Sequence, residues 1–125
     1  MIGTVAKLVV AATLLVAAPP LQVKLAGSGH SAKINTKWWY TLTVTRDGKP
    51  AKARITAQIL DPVGLLHPVE VGPTTQVIKN LPINGRYHDY IIWPPESRGF
   101  PLKLRFTVTA GSVKKIVSYT VTPHS

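Results

Sequence analysis

The segment from Trp38 to Ile59 constrains the fold more than any other part of this chain. Trp38, Tyr40, Leu42 and Val44 alternate with Trp39, Thr41, Thr43 and Thr45, and a period of two places successive side chains on opposite faces of a strand. Asp47-Gly48-Lys49-Pro50 follows. A second alternating run then sets Ala53, Ile55, Ala57 and Ile59 against Lys52, Arg54, Thr56 and Gln58. A tight hairpin turn needs positive φ at its centre, which glycine adopts without steric cost. The segment therefore predicts two strands joined at Asp47-Gly48, each with one face turned to a core.

The same signal recurs along the chain. Leu21, Val23 and Leu25 alternate with Gln22 and Lys24 until Gly27-Ser28-Gly29-His30-Ser31 breaks the pattern. Asp61-Pro62-Val63-Gly64 is a turn, with proline pre-setting φ at its second position. His67–Val71 and Thr75–Lys79 read as short edge strands, and Asn80-Leu81-Pro82 as a break. Arg86–Trp93 is a further strand, stopped by Pro94-Pro95. A second hairpin closes the chain: Leu102, Leu104, Phe106 and Val108 face inward, Ala110-Gly111-Ser112 turns, and Val117, Tyr119 and Val121 return. Seven or eight strands with turns at this spacing and no helical period predict an all-β, antiparallel β-sandwich. Residues 19–34 read as a linker and first strand, and residues 35–125 as the remainder of one domain.

Residues 1–18 have a different composition. Lys7 is their sole charge, and the apolar run Leu8–Ala18 follows it. A short basic start, an apolar stretch of about 7–15 residues and small residues after it describe a secretory signal peptide. Left uncleaved, the segment is a short anchor and the chain's only expected link to a membrane. The reading places the domain outside the cytoplasm: secreted, periplasmic or at the cell surface. The chain has no cysteine, which excludes disulfides, thiolate metal sites and cysteine nucleophiles.

Fifteen Lys and Arg against five Asp and Glu give a formal charge of +10. Such a surplus favours encounter with polyanions. Inside a cell that means nucleic acid first; outside it, an acidic cell-wall polymer, polysaccharide or lipid headgroup. The cations are dispersed, with no run longer than Lys114-Lys115, so a dedicated nucleic-acid groove is not expected.

The stretch from Asn35 through Trp38 to Gly48-Lys49-Pro50 and Ala53-Arg54-Ile55 resembles bacterial immunoglobulin-like domains, in which a strand, Asp-Gly-Lys-Pro, strand unit is common. Gly85-Arg86-Tyr87 is similar to the Gly-x-Tyr that opens a later strand in those domains. The order of elements also resembles exported YtkA-like domains, some of whose relatives are linked to copper handling. The resemblance covers residues 35–122 and implies an immunoglobulin-like β-sandwich. The chain lacks the Met-rich or Cys ligands of copper-handling relatives and the Cys…Trp…Cys pattern of antibody domains.

Two sets of residues are candidates for function. Lys37, Trp39, Arg54, Arg98 and Phe100 combine cations with outward or loop aromatics, a composition suited to a protein partner in the envelope or an anionic surface polymer. The alternative is a copper or zinc site drawn from His67 and His88 with Asp89 or Glu70. No His-x-His or His-x₃-His spacing exists, so such a site must be assembled across strands. Catalysis is not expected. No Gly-x-Ser-x-Gly elbow is present, a Ser97–His88–Asp89 triad has no supporting spacing, and Asp47 and Asp61 serve turns.

Overall fold

The computed structural model describes residues 19–125; the segment read as a signal peptide or anchor lies outside them. The described chain is all-β. Its strands are β1 (Leu21–Gly27), β2 (Ser31–Lys33), β3 (Lys37–Arg46), β4 (Lys49–Pro50), β5 (Lys52–Leu60), β6 (Leu66–Pro68), β7 (Leu81–Asn84), β8 (Arg86–Ile92), β9 (Leu102–Ala110) and β10 (Val113–His124). Among the described residues, one 3-10 turn spans Pro95–Ser97. Among the described residues no helix is long and apolar enough to cross a membrane.

The strands form two sheets. In the first, β3 pairs with β1 along one edge and with β8 and β4 along the other. In the second the order is β2-β10-β9-β5, with β6 and β7 both on the outer edge of β5. All pairings are antiparallel except that of β2 with the last residues of β10. That parallel pairing matches Ser31, Ala32 and Lys33 with Thr122, Pro123 and His124.

The inward residues of both sheets meet in one core. Trp38, Tyr40, Leu42 and Val44 from β3 face Ile55, Leu104, Phe106, Val108 and Val121 from the second sheet, and all are buried. Tyr40 lies 5.5 Å from Phe106 between ring centroids, and Trp38 meets Trp93 edge-on at 5.7 Å. Burying each such side chain contributes about 1.5–3 kcal/mol. The alternation therefore selects the register, because a slip of one residue would carry every apolar side chain of β3 to the outside.

The first hairpin is shorter than its sequence suggests. Asp47 and Gly48 have φ of 54° and 73°, as a two-residue turn with positive φ at both central positions requires. However, β4 pairs with β3 over only two residue pairs, Thr45↔Pro50 and Arg46↔Lys49. At Ala51 the chain leaves the first sheet, and β5 joins the second. The return crossing, from β7 to β8, occurs beside it at Gly85. A ring of three backbone hydrogen bonds ties the crossings together: Val44 N–H donates to Gly85 O (2.9 Å), Gly85 N–H to Ala51 O (2.9 Å), and Ala51 N–H to Val44 O (3.0 Å).

Further differences from the sequence reading lie in the middle of the chain. Asn80-Leu81-Pro82, read as a break, runs into a strand: β7 begins at Leu81, and Pro82 is tolerated there because β7 lies on the outer edge of β5. Thr75–Lys79, read as a strand, contributes only an isolated bridge between Val77 and Glu70. Its place on the edge is held by Ile78, which exchanges backbone bonds with Ala57 and Val69.

Candidate functional site

Outward positions of the first sheet follow from its register. Residues directly opposite in an antiparallel pair share a face. Trp39 opposes Tyr90, Thr41 opposes His88, Thr43 opposes Arg86, and Lys37 opposes Ile92. From β1, Lys24 opposes Thr43. This face therefore collects Lys24, Lys37 and Arg86 around Trp39, His88 and Tyr90, and no carboxylate occupies it.

The aromatic groups are held in a defined arrangement. Trp39 is 41% exposed. It stacks on the His88 ring at 5.0 Å and 11°, and meets Tyr90 edge-on at 5.1 Å. Lys37 Nζ sits 4.8 Å above the Tyr90 ring, a cation–π contact that restrains the long side chain. The Thr41 hydroxyl and His88 Nδ1 are 2.7 Å apart, which fixes the imidazole plane. The result is a half-exposed aromatic platform with ammonium and guanidinium groups at its margins.

The structure separates the residues singled out in the sequence. Lys37 and Trp39 belong to the platform. Arg54 does not: β5 lies in the second sheet, where Arg54 opposes Thr109 and donates from Nη1 to Asn80 O at 2.9 Å. The chain crossing at Ala51 is the reason. Arg98 and Phe100 lie in the loop between β8 and β9, both exposed, at the end of the molecule where β5 meets β6.

His67, His88 and Asp89 do not converge. His88 joins the platform, while Asp89, one residue on, points to the opposite face and is buried. His67 instead pairs with Asp61 at 2.8 Å. Among the described residues, no three His, Asp or Glu side chains are grouped as a metal ion requires. Glu70 is exposed on the segment after β6.

Asp89 has a structural role. Its Oδ2 accepts from the Tyr87 hydroxyl (2.7 Å) and Gly72 N–H (2.9 Å), and its Oδ1 accepts from Tyr90 N–H (2.8 Å). Burial, then the hydrogen bond to the Asp89 carboxylate, holds the Tyr87 phenol well above its ordinary value. Tyr87 therefore remains a donor at neutral pH. The Tyr40 phenol is raised in the same direction, chiefly by burial and then by Tyr87 and Asp89.

Asp61 closes the turn between β5 and β6. Its Oδ1 accepts Val63 N–H (3.0 Å) and Leu65 N–H (2.9 Å), and its Oδ2 meets His67 Nε2. The His67 bond first, and the Leu65 bond second, hold this carboxyl below its ordinary value of 3.8. A carboxyl with a lowered value in the fold stabilises it above the unfolded-chain value and loses that effect as pH falls through the folded one. The turn is therefore expected to stay closed through pH 3.8 and to open only below it. Amide shifts of Val63 and Leu65 followed by NMR down an acid titration check this; a midpoint at or above the ordinary value would contradict it.

Tyr90 and Ile92 stand outside the two candidate sets, although the period-two face they share with Arg86 and His88 is readable once Arg86–Trp93 is taken as a strand. What the sequence alone lacked was the pairing of β8 with β3.

No family model matches the chain, and no curated protein matches it in sequence. Among solved structures, it is similar to a DUF4466 family protein from Parabacteroides merdae, with a TM-score of 0.46 and 15% identity. The match covers 86% of this chain, and the chain spans 45% of the length of that protein.

Proposed function

We propose that this chain is an exported, non-catalytic module of the immunoglobulin-like kind that binds an anionic surface polymer through the outer face of its first sheet. The observation that carries the reading is the Trp39–His88–Tyr90 platform, half-exposed, bordered by Lys24, Lys37 and Arg86 and free of carboxylates. Flat aromatic faces suit ring-shaped units such as sugars, and marginal cations suit the acidic groups those units carry. Exposed aromatic anchors ringed by polar groups are also where binding energy concentrates. The net charge raises the encounter rate, and the platform gives the encounter a fixed place. The apolar run after Lys7 and the Asp47-Gly48-Lys49-Pro50 turn support export and the immunoglobulin-like assignment respectively.

Polygalacturonate, with dextran as the uncharged control, tests the reading through tryptophan fluorescence and calorimetry. Trp39→Ala is expected to weaken polygalacturonate binding about 30-fold, the loss typical of an aromatic anchor. Rising salt is expected to weaken binding further through screening. Equal binding to dextran, or binding unchanged in Trp39→Ala, would remove the polymer reading. Trp39-dependent capture of an envelope protein, with no binding to the polymer, would replace the polymer by a protein partner.

A further inference from the structure

Cations that stand dispersed along the sequence are gathered by the second sheet. Residues directly opposite in a pair share a face, and the inward set of β5 and β9 is the buried core, so the alternate positions point out. On β9 these include Lys103 and Arg105; Thr109, on the same face, is flanked by Arg54 of β5 and Lys114 of β10. Lys52 continues the face along β5, and Lys33 of β2, next to the buried Ala32, continues it beyond β10. Six cations from four strands therefore share one outer face. From the row of Arg54 to that of Lys103 it runs about 20 Å, at roughly 3.4 Å per residue.

These charges are uncompensated. No Asp or Glu occupies any position of β2, β5, β9 or β10, and none of the six cations makes an ion pair among the described residues. Asp61, just past β5, is engaged by His67 and two backbone N–H groups. Glu70 lies beyond the outer edge of β5, with Ile78 bonded between that strand and Val69. Arg54 is anchored through Nη1 to Asn80 O at 2.9 Å.

Charge complementarity and the composition of the face together select its occupant. Fields of like charges reinforce one another over roughly 8 Å at physiological salt, so a partner with closely spaced acidic groups meets several cations at once. No Trp, Tyr or Phe points outward from β5, β9 or β10, and nothing there selects a ring. Ile116 is the one exposed large apolar side chain on those strands, whereas a surface that seats itself in a bilayer carries an apolar face. A flat membrane can also meet only one outer face of a sandwich at a time. A flexible chain can pass along both.

We infer that the outer face of the second sheet binds a linear anionic polymer through its acidic groups, with no requirement for a sugar ring. The site stands without the platform. Only its consequence rests on the reading proposed above: one domain then carries two polymer-binding faces, turned away from each other.

The probe is long-chain inorganic polyphosphate, a polyanion without rings, titrated by calorimetry. Wild type and Trp39→Ala are expected to bind it alike. Lys103→Glu, at an exposed position of the middle strand β9, should weaken binding about 5-fold. Adding Lys114→Glu should weaken it about 5-fold again, because the two positions are well separated. Lys49→Glu makes the same change of charge beside the Asp47-Gly48 turn, opposite Arg46 and outside both faces, and should weaken binding by less than about 2-fold. Lys103→Glu should keep the Trp39-dependent binding of polygalacturonate, so the failure of either site is seen without the other. No binding of polyphosphate, equal losses in Lys103→Glu and Lys49→Glu, or a loss in Trp39→Ala would each overturn the inference. So would an effect of Lys103→Glu confined to sedimentation with phosphatidylglycerol vesicles, which would make the face a membrane contact.

Discussion

Replacing Gly85 with alanine is expected to destabilise the domain by about 3–5 kcal/mol, a sum of backbone strain and forced overpacking. Gly85 has φ of 83°, a region that residues with a Cβ rarely adopt. An added Cβ would also meet the Cβ of Pro50 and lie 2.9 Å from its Cα. Backbone cannot swing aside as a long side chain can: Gly85 is held by the ring of bonds joining it to Val44 and Ala51, and Pro50 by its pairing with Thr45 and by its bond to Ala51 within that ring. Gly48 provides the control. Its φ is 73°, yet nothing lies within 4 Å of an added Cβ, so Gly48→Ala should cost only about 1 kcal/mol of conformational strain. Urea midpoints followed by tryptophan fluorescence compare the two. Similar losses at both positions would show that the crossing tolerates a side chain and that φ alone matters. Since domains of this size are stable by about 5–15 kcal/mol, the Gly85 variant is expected to be partly unfolded at 37 °C.

Asp89→Ala is expected to cost about 3 kcal/mol, because it strands three part-buried donors, the Tyr87 hydroxyl, Gly72 N–H and Tyr90 N–H, the first two of which share one carboxylate oxygen. The two ends of the loss differ in location. Tyr87 is on β8, whereas Gly72 is on the long connection between β6 and β7, so the carboxylate fastens that connection to the first sheet. Hydrogen exchange should therefore accelerate at Gly72 more than at the β9 core amides, which the substitution does not touch. Asp89→Asn, which keeps one acceptor oxygen, should lose less. An unchanged exchange rate at Gly72 in Asp89→Ala would show that the connection is held by something else.

Where alternation was strict, the sequence reading placed side chains well. Trp38, Tyr40, Leu42 and Val44 are buried as expected, as are Ala53, Ile55, Ala57, Leu102, Leu104, Phe106 and Val108, because period two leaves a half-buried strand one choice of face. The sheet crossings were not legible. Lys49-Pro50-Ala51-Lys52 reads as the continuation of a hairpin, since nothing local distinguishes a strand that stays in its sheet from one that changes sheet at a single residue. That error is what set Arg54 beside Trp39. Asp89 was opaque for a similar reason: its donors come from Tyr87 nearby and Gly72 far along the chain, and only the second makes it a fastening point. The platform was half legible, with Trp39 and Lys37 visible by alternation but His88 and Tyr90 joined to them only through pairing across strands remote in sequence.

The parallel contact of β2 with the end of β10 has a consequence for the order of assembly. Ser31 to Lys33 find their partners only at Thr122 to His124, and His30 stacks on Tyr119 at 4.3 Å. Chains whose contacts join distant positions fold slowly, because the intervening segment must be ordered before the contact forms. A polypeptide made from its N-terminus leaves β9 without one edge until residue 121, and β2 without its full neighbour until residue 124, has been synthesised. The β2–β10 pairing is thus the part of this domain that waits longest on synthesis.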